Sequence, residues 1–357
     1  FVNRLIDLAT GAKPRGASVQ TTLNAKAQKA ASDTLGSRKG AVVALNPSTG
    51  AILAMVTSPT FDPNDLATHQ VADARSAWQK LNGDSANRPM ANRAVREIFP
   101  PGSTFKVIVS AAALDAGYEP DSVLDTSSYR LPGTGTTINT TCGNSQTLKR
   151  SLELSCNSAF ARLGVKLGSD ALREQAEKFG FGTKPLSDIT SVASRFPEEI
   201  DTPQTGLASI GGFEVAATPL QMAMVAAAVR NDGVVMQPYL VESVRSADLQ
   251  VLSQTRPSQL SLATSSANAA KLRQMMVGVV QSGTGWRAQV AGVTVGGKTG
   301  TANSDNVRTP YAWFIAWADN PDVAICVFVQ DAEIAATDVA GGRVAAPIAK
   351  SVIEALR

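Results

Sequence analysis

Ser103-Thr104-Phe105-Lys106 places a hydroxyl and an amine three residues apart. Positions i and i+3 share one face of a helix, so the two side chains can meet. Pro100-Pro101-Gly102 precedes them and puts Ser103 at the helix N-terminus. Backbone N–H groups are unpaired there and the helix dipole favours negative charge. Both features suit a hydroxyl that becomes an alkoxide and then part of an oxyanion. A lysine serves as its base when burial or a neighbouring cation lowers its pKa. Taken alone, the pair reads better as a capping serine beside a solvated lysine.

Two further groups stand in a set order after it. Lys298-Thr299-Gly300-Thr301 follows Val293-Thr294-Val295-Gly296-Gly297 and reads as a strand. Alternation puts Lys298 and Gly300 on one face and Thr299 and Thr301 on the other. The glycines are expected to leave the strand bare for a ligand backbone. Between these two motifs lies Ser155-Cys156-Asn157, at a break in a helical pattern over 150–182. Other S-x-N triplets begin at Ser85, Ser266 and Ser304, so only order and setting select the Ser155 copy.

Composition narrows the chemistry. The 357 residues are 44% hydrophobic and 18% charged with a net charge of +3, which describes a globular chain. Basic residues are scattered, so no nucleic-acid partner is expected. No apolar stretch reaches the length of a membrane span. The one histidine, His69, sits in a polar loop, so a serine enzyme built on this chain needs a base other than histidine. The three cysteines, Cys142, Cys156 and Cys326, have no metal-ligand spacing.

The elements that must position these groups are legible in outline. Ala17–Asn24 alternates like a first strand, and Ala25–Leu35 reads as a helix. Residues 41–57 read as a hairpin turning at Asn46-Pro47-Ser48-Thr49-Gly50. Residues 58–98 are polar and rich in Pro and Asn, and read as an excursion. Thr218-Pro219-Leu220-Gln221 has the form of a capping box, opening an apolar helix that includes Met222–Val229 on an amphipathic pattern. Strands are expected over Val293–Thr301, Trp313–Ala318 and Val323–Phe328, and a closing helix over Ala346–Leu356. Strands at both ends with helices between predict an α/β (α+β) fold. Its sheet is drawn from 17–57 and 290–330, with a helical insertion over about 60–235.

S-x-x-K, then S-x-N, then K-T-G in this order resembles the signature set of penicillin-binding proteins and serine β-lactamases. The surroundings narrow it. ALNPSTGAILAMVTSPTFDPN (45–65), FPPGSTFKV (99–107), ELSCNSAFARLG (153–164), TPLQMA (218–223), NDGV (231–234), VGGKTGTAN (295–303) and YAWFIAWA (311–318) resemble segments of penicillin-binding transpeptidase domains. The similarity runs from about residue 17 to the C-terminus. It points to the class B (monofunctional) enzymes, and within them to the type called penicillin-binding protein A.

The resemblance implies a peptidoglycan D,D-transpeptidase that cross-links stem peptides, is inactivated by β-lactam antibiotics and needs no metal or organic cofactor. Ser103 would be the nucleophile and Lys106 its base. Ser155 would relay a proton, Asn157 would hold Lys106 and the substrate amide, and Lys298 would supply positive potential. Thr299, Gly300 and Thr301 would bind substrate, with the backbone N–H groups of Ser103 and Thr301 as oxyanion hole. It also implies an N-terminal membrane helix upstream, residues 1–16 being a linker remnant. The enzyme would then sit on the extracytoplasmic face beside membrane cell-wall machinery. In such an exported domain Cys142 and Cys156 can bond or remain free thiols. Gly212 stands where relatives often have Gln, so Ser209–Phe213 is given no catalytic weight. A class A β-lactamase would carry an E-x-x-x-N loop, and none lies between Asn157 and Lys298. A D-Ala-D-Ala carboxypeptidase and a β-lactam-sensing domain share the same three motifs.

Overall fold

The computed structural model describes residues 16–302 and 310–357. Its centre is a five-stranded antiparallel sheet in the order Val295–Ala302, Tyr311–Ala318, Val323–Asp331, Lys39–Leu45, Ile52–Ser58. The two chain ends meet where Cys326 pairs with Val43. Tyr311–Ala318 is buried at every position. That explains its unbroken apolar run, because the sheet is covered on both faces. Trp313, Ile315 and Trp317 pack in one core with the Pro219–Arg230 helix, whereas Ala312, Phe314 and Ala316 pack in a second with Ala27, Ala31, Ile348 and Val352. The fold is therefore a sheet between helical layers, the mixed α/β class that the sequence predicts.

Several local expectations change. Ser18–Thr21 is a strand, but it pairs with Val241–Arg245 in a separate three-stranded sheet. Its residues are all exposed, and such a strand has no apolar faces to bury between helical layers. The main sheet thus draws on 39–58 and 295–331 rather than on 17–57 and 290–330. Within 58–98, Val71–Gly83 forms a helix with no buried residue. Good helix formers such as Ala, Arg, Gln, Lys and Leu sustain it without an apolar stripe for periodicity to detect. Helices continue past 235, notably Ser266–Gln281, and short strand pairs interrupt the helical part between 123 and 147.

The Pro219–Arg230 helix is not amphipathic: residues 219–229 are all buried. A helix apolar all round lies inside the fold. Thr218 caps it, accepting from the Gln221 backbone N–H at 3.0 Å. Gln221 does not close the box; its amide donates to Phe179 O at 2.7 Å, satisfying a buried carbonyl. Among the described helices, the complete capping box is that of Asp201 with Gln204. No helix of the described residues is long and apolar enough to cross a membrane.

Candidate active site

Ser103 sits in a single 3-10 turn, Gly102–Phe105, that runs directly into the Lys106–Asp115 helix. The turn is clamped from two sides. Gly102 donates its N–H to Gly211 O at 3.2 Å. Gly211 has φ +75°, and a Cβ there would lie 2.1 Å from Gly102 O. Only glycine fits both conditions. Ser209–Phe213, given no catalytic weight from sequence, therefore supports the backbone that carries Ser103. On the other side, a Cβ at Gly300 would lie 2.9 Å from Pro101 O, so this glycine admits the turn against the sheet edge.

The remaining glycines of that strand do not leave it bare for a ligand. A Cβ at Gly296 would strike the Trp317 ring and one at Gly297 the Phe314 ring. Cross-strand aromatic packing has filled the space that the sequence suggested for substrate.

Lys106 and Lys298 are both fully buried. Lys106 Nζ donates to Asn157 Oδ1 at 2.6 Å and Ser155 O at 2.8 Å, and lies 3.2 Å from Ser155 Oγ. Lys298 Nζ reaches the same Ser155 Oγ at 2.9 Å and Thr299 O at 2.9 Å. One hydroxyl thus bridges two buried amines. Burial holds the Lys106 pKa well below the usual lysine range, with the Lys298 charge adding to the effect. Burial also brings Lys298 down to about 7. Both shifts follow from the cost of a charge in a low-dielectric site.

Ser155 is presented by a chain reversal. The Leu148–Leu154 helix ends on Ser155 at φ 62°, and a second helix begins at Asn157. Cys156 between them is bonded to Cys142. Cross-linking of this kind restricts the unfolded chain, and a loop near 15 residues corresponds to about 3 kcal/mol. Substituting both cysteines with serine is therefore expected to lower stability by about 2–4 kcal/mol and to slow acylation by loosening Ser155. Thiol titration of the denatured, non-reduced wild type should find Cys326 alone; three reactive thiols would overturn the pairing.

These groups open on a cavity of about 630 Å³, lined among others by Ser103, Ser155, Asn157, Thr299 and Thr301. Gly300 lies behind it, against the Ser103 turn. His69 is exposed and the cavity lining does not include it. Ser85 and Ser266 also lie outside the lining, and Ser304 falls beyond the described residues. The lining contains no Asp or Glu, whereas Arg287 and Arg343 stand at it, so the cavity suits an anionic ligand. Sequence reasoning missed Ser282–Thr284, Trp286, Arg287 and Gly341–Arg343. Two glycine-bearing turns, S-G-T-G and A-G-G-R, were the available signals.

Comparisons with known proteins place the chain as a whole. The family described as "Penicillin binding protein transpeptidase domain" matches residues 40–354. The peptidoglycan D,D-transpeptidase PbpA of Mycolicibacterium smegmatis is 45% identical, with 99% of this chain and 75% of the relative covered. Its Mycobacterium tuberculosis counterpart is 43% identical at the same coverage. Among solved structures, penicillin-binding protein A from M. tuberculosis as a ceftriaxone acyl-enzyme complex superposes with a TM-score of 0.95 at 41% identity, covering 99% of this chain and 83% of that one. Penicillin-binding protein 2 of Pseudomonas aeruginosa superposes at 0.82 and 30% identity, covering 96% and 76%. With both the domain match and these identities spanning most of its length, the chain belongs to the penicillin-binding protein transpeptidase family.

Proposed function

We propose that this protein is a peptidoglycan D,D-transpeptidase that works through an acyl-Ser103 intermediate. The observation that carries the reading is the Ser155 hydroxyl shared by two buried lysines, 3.2 Å from Lys106 and 2.9 Å from Lys298. Neutral Lys106 takes the Ser103 proton as Oγ attacks the carbonyl of the penultimate D-Ala of a stem peptide. The backbone N–H groups of Ser103 and Thr301 hold the oxyanion. The proton on Lys106 passes through Ser155 to the departing nitrogen, so the C–N bond breaks and terminal D-Ala leaves with a neutral amine and its carboxylate still ionised. Asn157 keeps Lys106 aimed and bonds the substrate amide, and Thr299 and Thr301 hold its carboxylate. The amine of a second stem peptide then attacks the acyl-enzyme, losing a proton back along the same path, and closes the cross-link. A β-lactam enters as donor, and its opened ring stays attached to Ser103.

Such work is extracytoplasmic. An anchor upstream of Phe1 would place the domain at the membrane beside other cell-wall enzymes.

Lys298 tunes this chemistry in a direction that can be checked. Its charge holds the Lys106 pKa down. In Lys298→Ala that repulsion is gone, so Lys106 keeps its proton to higher pH. Below about pH 7, where Lys298 is charged, acylation should fall most, and the acid limb of the rate profile should move to higher pH. An unshifted limb would argue against the coupling.

Intact mass after incubation with benzylpenicillin, paired with a stem-peptide cross-linking assay, tests the function. A stable adduct on Ser103 together with cross-linked dimer is expected. Rapid return to native mass with the drug destroyed would mean a β-lactamase. Release of D-Ala with no cross-link would mean a carboxypeptidase. An adduct with no peptide turnover would mean a sensing domain.

A further inference from the structure

We propose that Thr284 is a positioning residue that aims the hydroxyl proton of Thr299 at the carboxylate of the substrate or β-lactam. The inference rests on the reading above that Thr299 and Thr301 bind that carboxylate. A carboxylate only accepts hydrogen bonds, and a threonine hydroxyl has one proton to donate. An unengaged hydroxyl rotates freely and offers that proton part of the time. Thr299 is not unengaged: its Oγ1 lies 2.6 Å from Thr284 Oγ1. One proton lies between the two oxygens. With an anion at Thr299, that shared proton must come from Thr284, leaving the Thr299 proton for the anion. Hydroxyls in series polarise one another, so the outer one becomes a stronger donor. Thr301 is served in a parallel way, accepting from the Gly341 backbone N–H at 3.4 Å.

Thr284 can play this part because its turn is held on every side. Its backbone N–H donates to Glu153 O at 3.3 Å, and the N–H of Gly285 donates to Val279 O at 2.9 Å. A Cβ on Gly283 would lie 2.6 Å from Glu153 O, and one on Gly342 would lie 2.1 Å from Thr284 O. The turn is thus wedged between the helix that ends at Ser155 and the Gly341–Arg343 segment. Thr284 lines the cavity. The hydroxyl is fixed before any ligand arrives, which is the condition under which a donor contributes most.

The test compares acylation by benzylpenicillin and by its methyl ester, which lacks the charge but keeps the ring. In wild type the acid should acylate faster. Thr284→Val keeps the side-chain shape and removes the hydroxyl. It should slow the acid about tenfold and the ester less than about twofold, narrowing the gap. Thr284→Ser should restore the acid. Equal slowing of both compounds would make the turn a structural brace only and overturn the proposal. No slowing of either would overturn it as well. A wild type that does not distinguish acid from ester would remove the carboxylate reading of Thr299 and Thr301, and this proposal with it. If the valine variant proves unstable, Thr284→Ala removes the hydroxyl in its place: loss of the acid's advantage over the ester supports the proposal, and equal slowing of both compounds or no slowing overturns it.

Discussion

Ser103→Ala should give no covalent adduct with benzylpenicillin and lose cross-linking activity by at least about 10⁴-fold, as removal of a nucleophile does when the catalytic groups act as a unit. Stability should hardly change. Ser103 is only partly buried, and the turn it occupies is held by backbone contacts of Gly102 with Gly211 and of Pro101 with Gly300. None of these needs the hydroxyl. A melting temperature within about 2 °C of wild type is therefore expected. Intact mass and thermal melting on the same sample check both halves. Undiminished labelling would remove Ser103 as the nucleophile, however well the rest of the site fits.

Lys106→Met should slow acylation by about 10³-fold, within the range usual for loss of a general base. Methionine keeps most of the buried volume, so packing and chemistry are separated. The variant removes a charge that is expensive to bury but leaves Ser155 O and Asn157 Oδ1 without their donor. These effects oppose each other, and Asn157 is exposed enough for water to replace the amine. The melting temperature should stay within about 4 °C of wild type. The acid limb of the pH profile should also vanish, because the group that must lose its proton is absent. A profile with the limb intact would move the role of base to Lys298, the other amine on Ser155.

The sheet strands were legible because each carries its own short-range record. Trp313–Ala318 and Val323–Phe328 are apolar at every position, as a strand covered on both faces must be. The Val71–Gly83 helix was not legible, because it buries nothing and so leaves no periodic stripe. The amphipathic reading of Met222–Val229 erred for the opposite reason. Its helix is enclosed on all sides, and small alanines look like a weak face until their neighbours are known.

By itself, the sequence determined the Ser103 turn with Lys106 three residues on, the break that projects Ser155, and the strand that carries Lys298. These are local patterns, set by the helical and strand periods and by chain-reversing residues. Tertiary structure alone decided that Lys106 and Lys298 share one hydroxyl, contacts that span 49 and 143 residues. It also decided that Gly296 and Gly297 receive aromatic rings rather than substrate, that Gly211 supports Ser103, and that Thr284 touches Thr299. The reason is physical. A periodicity says which way a side chain points along its own element, whereas the partner it meets depends on how a sheet built from both chain ends packs against the helices between them.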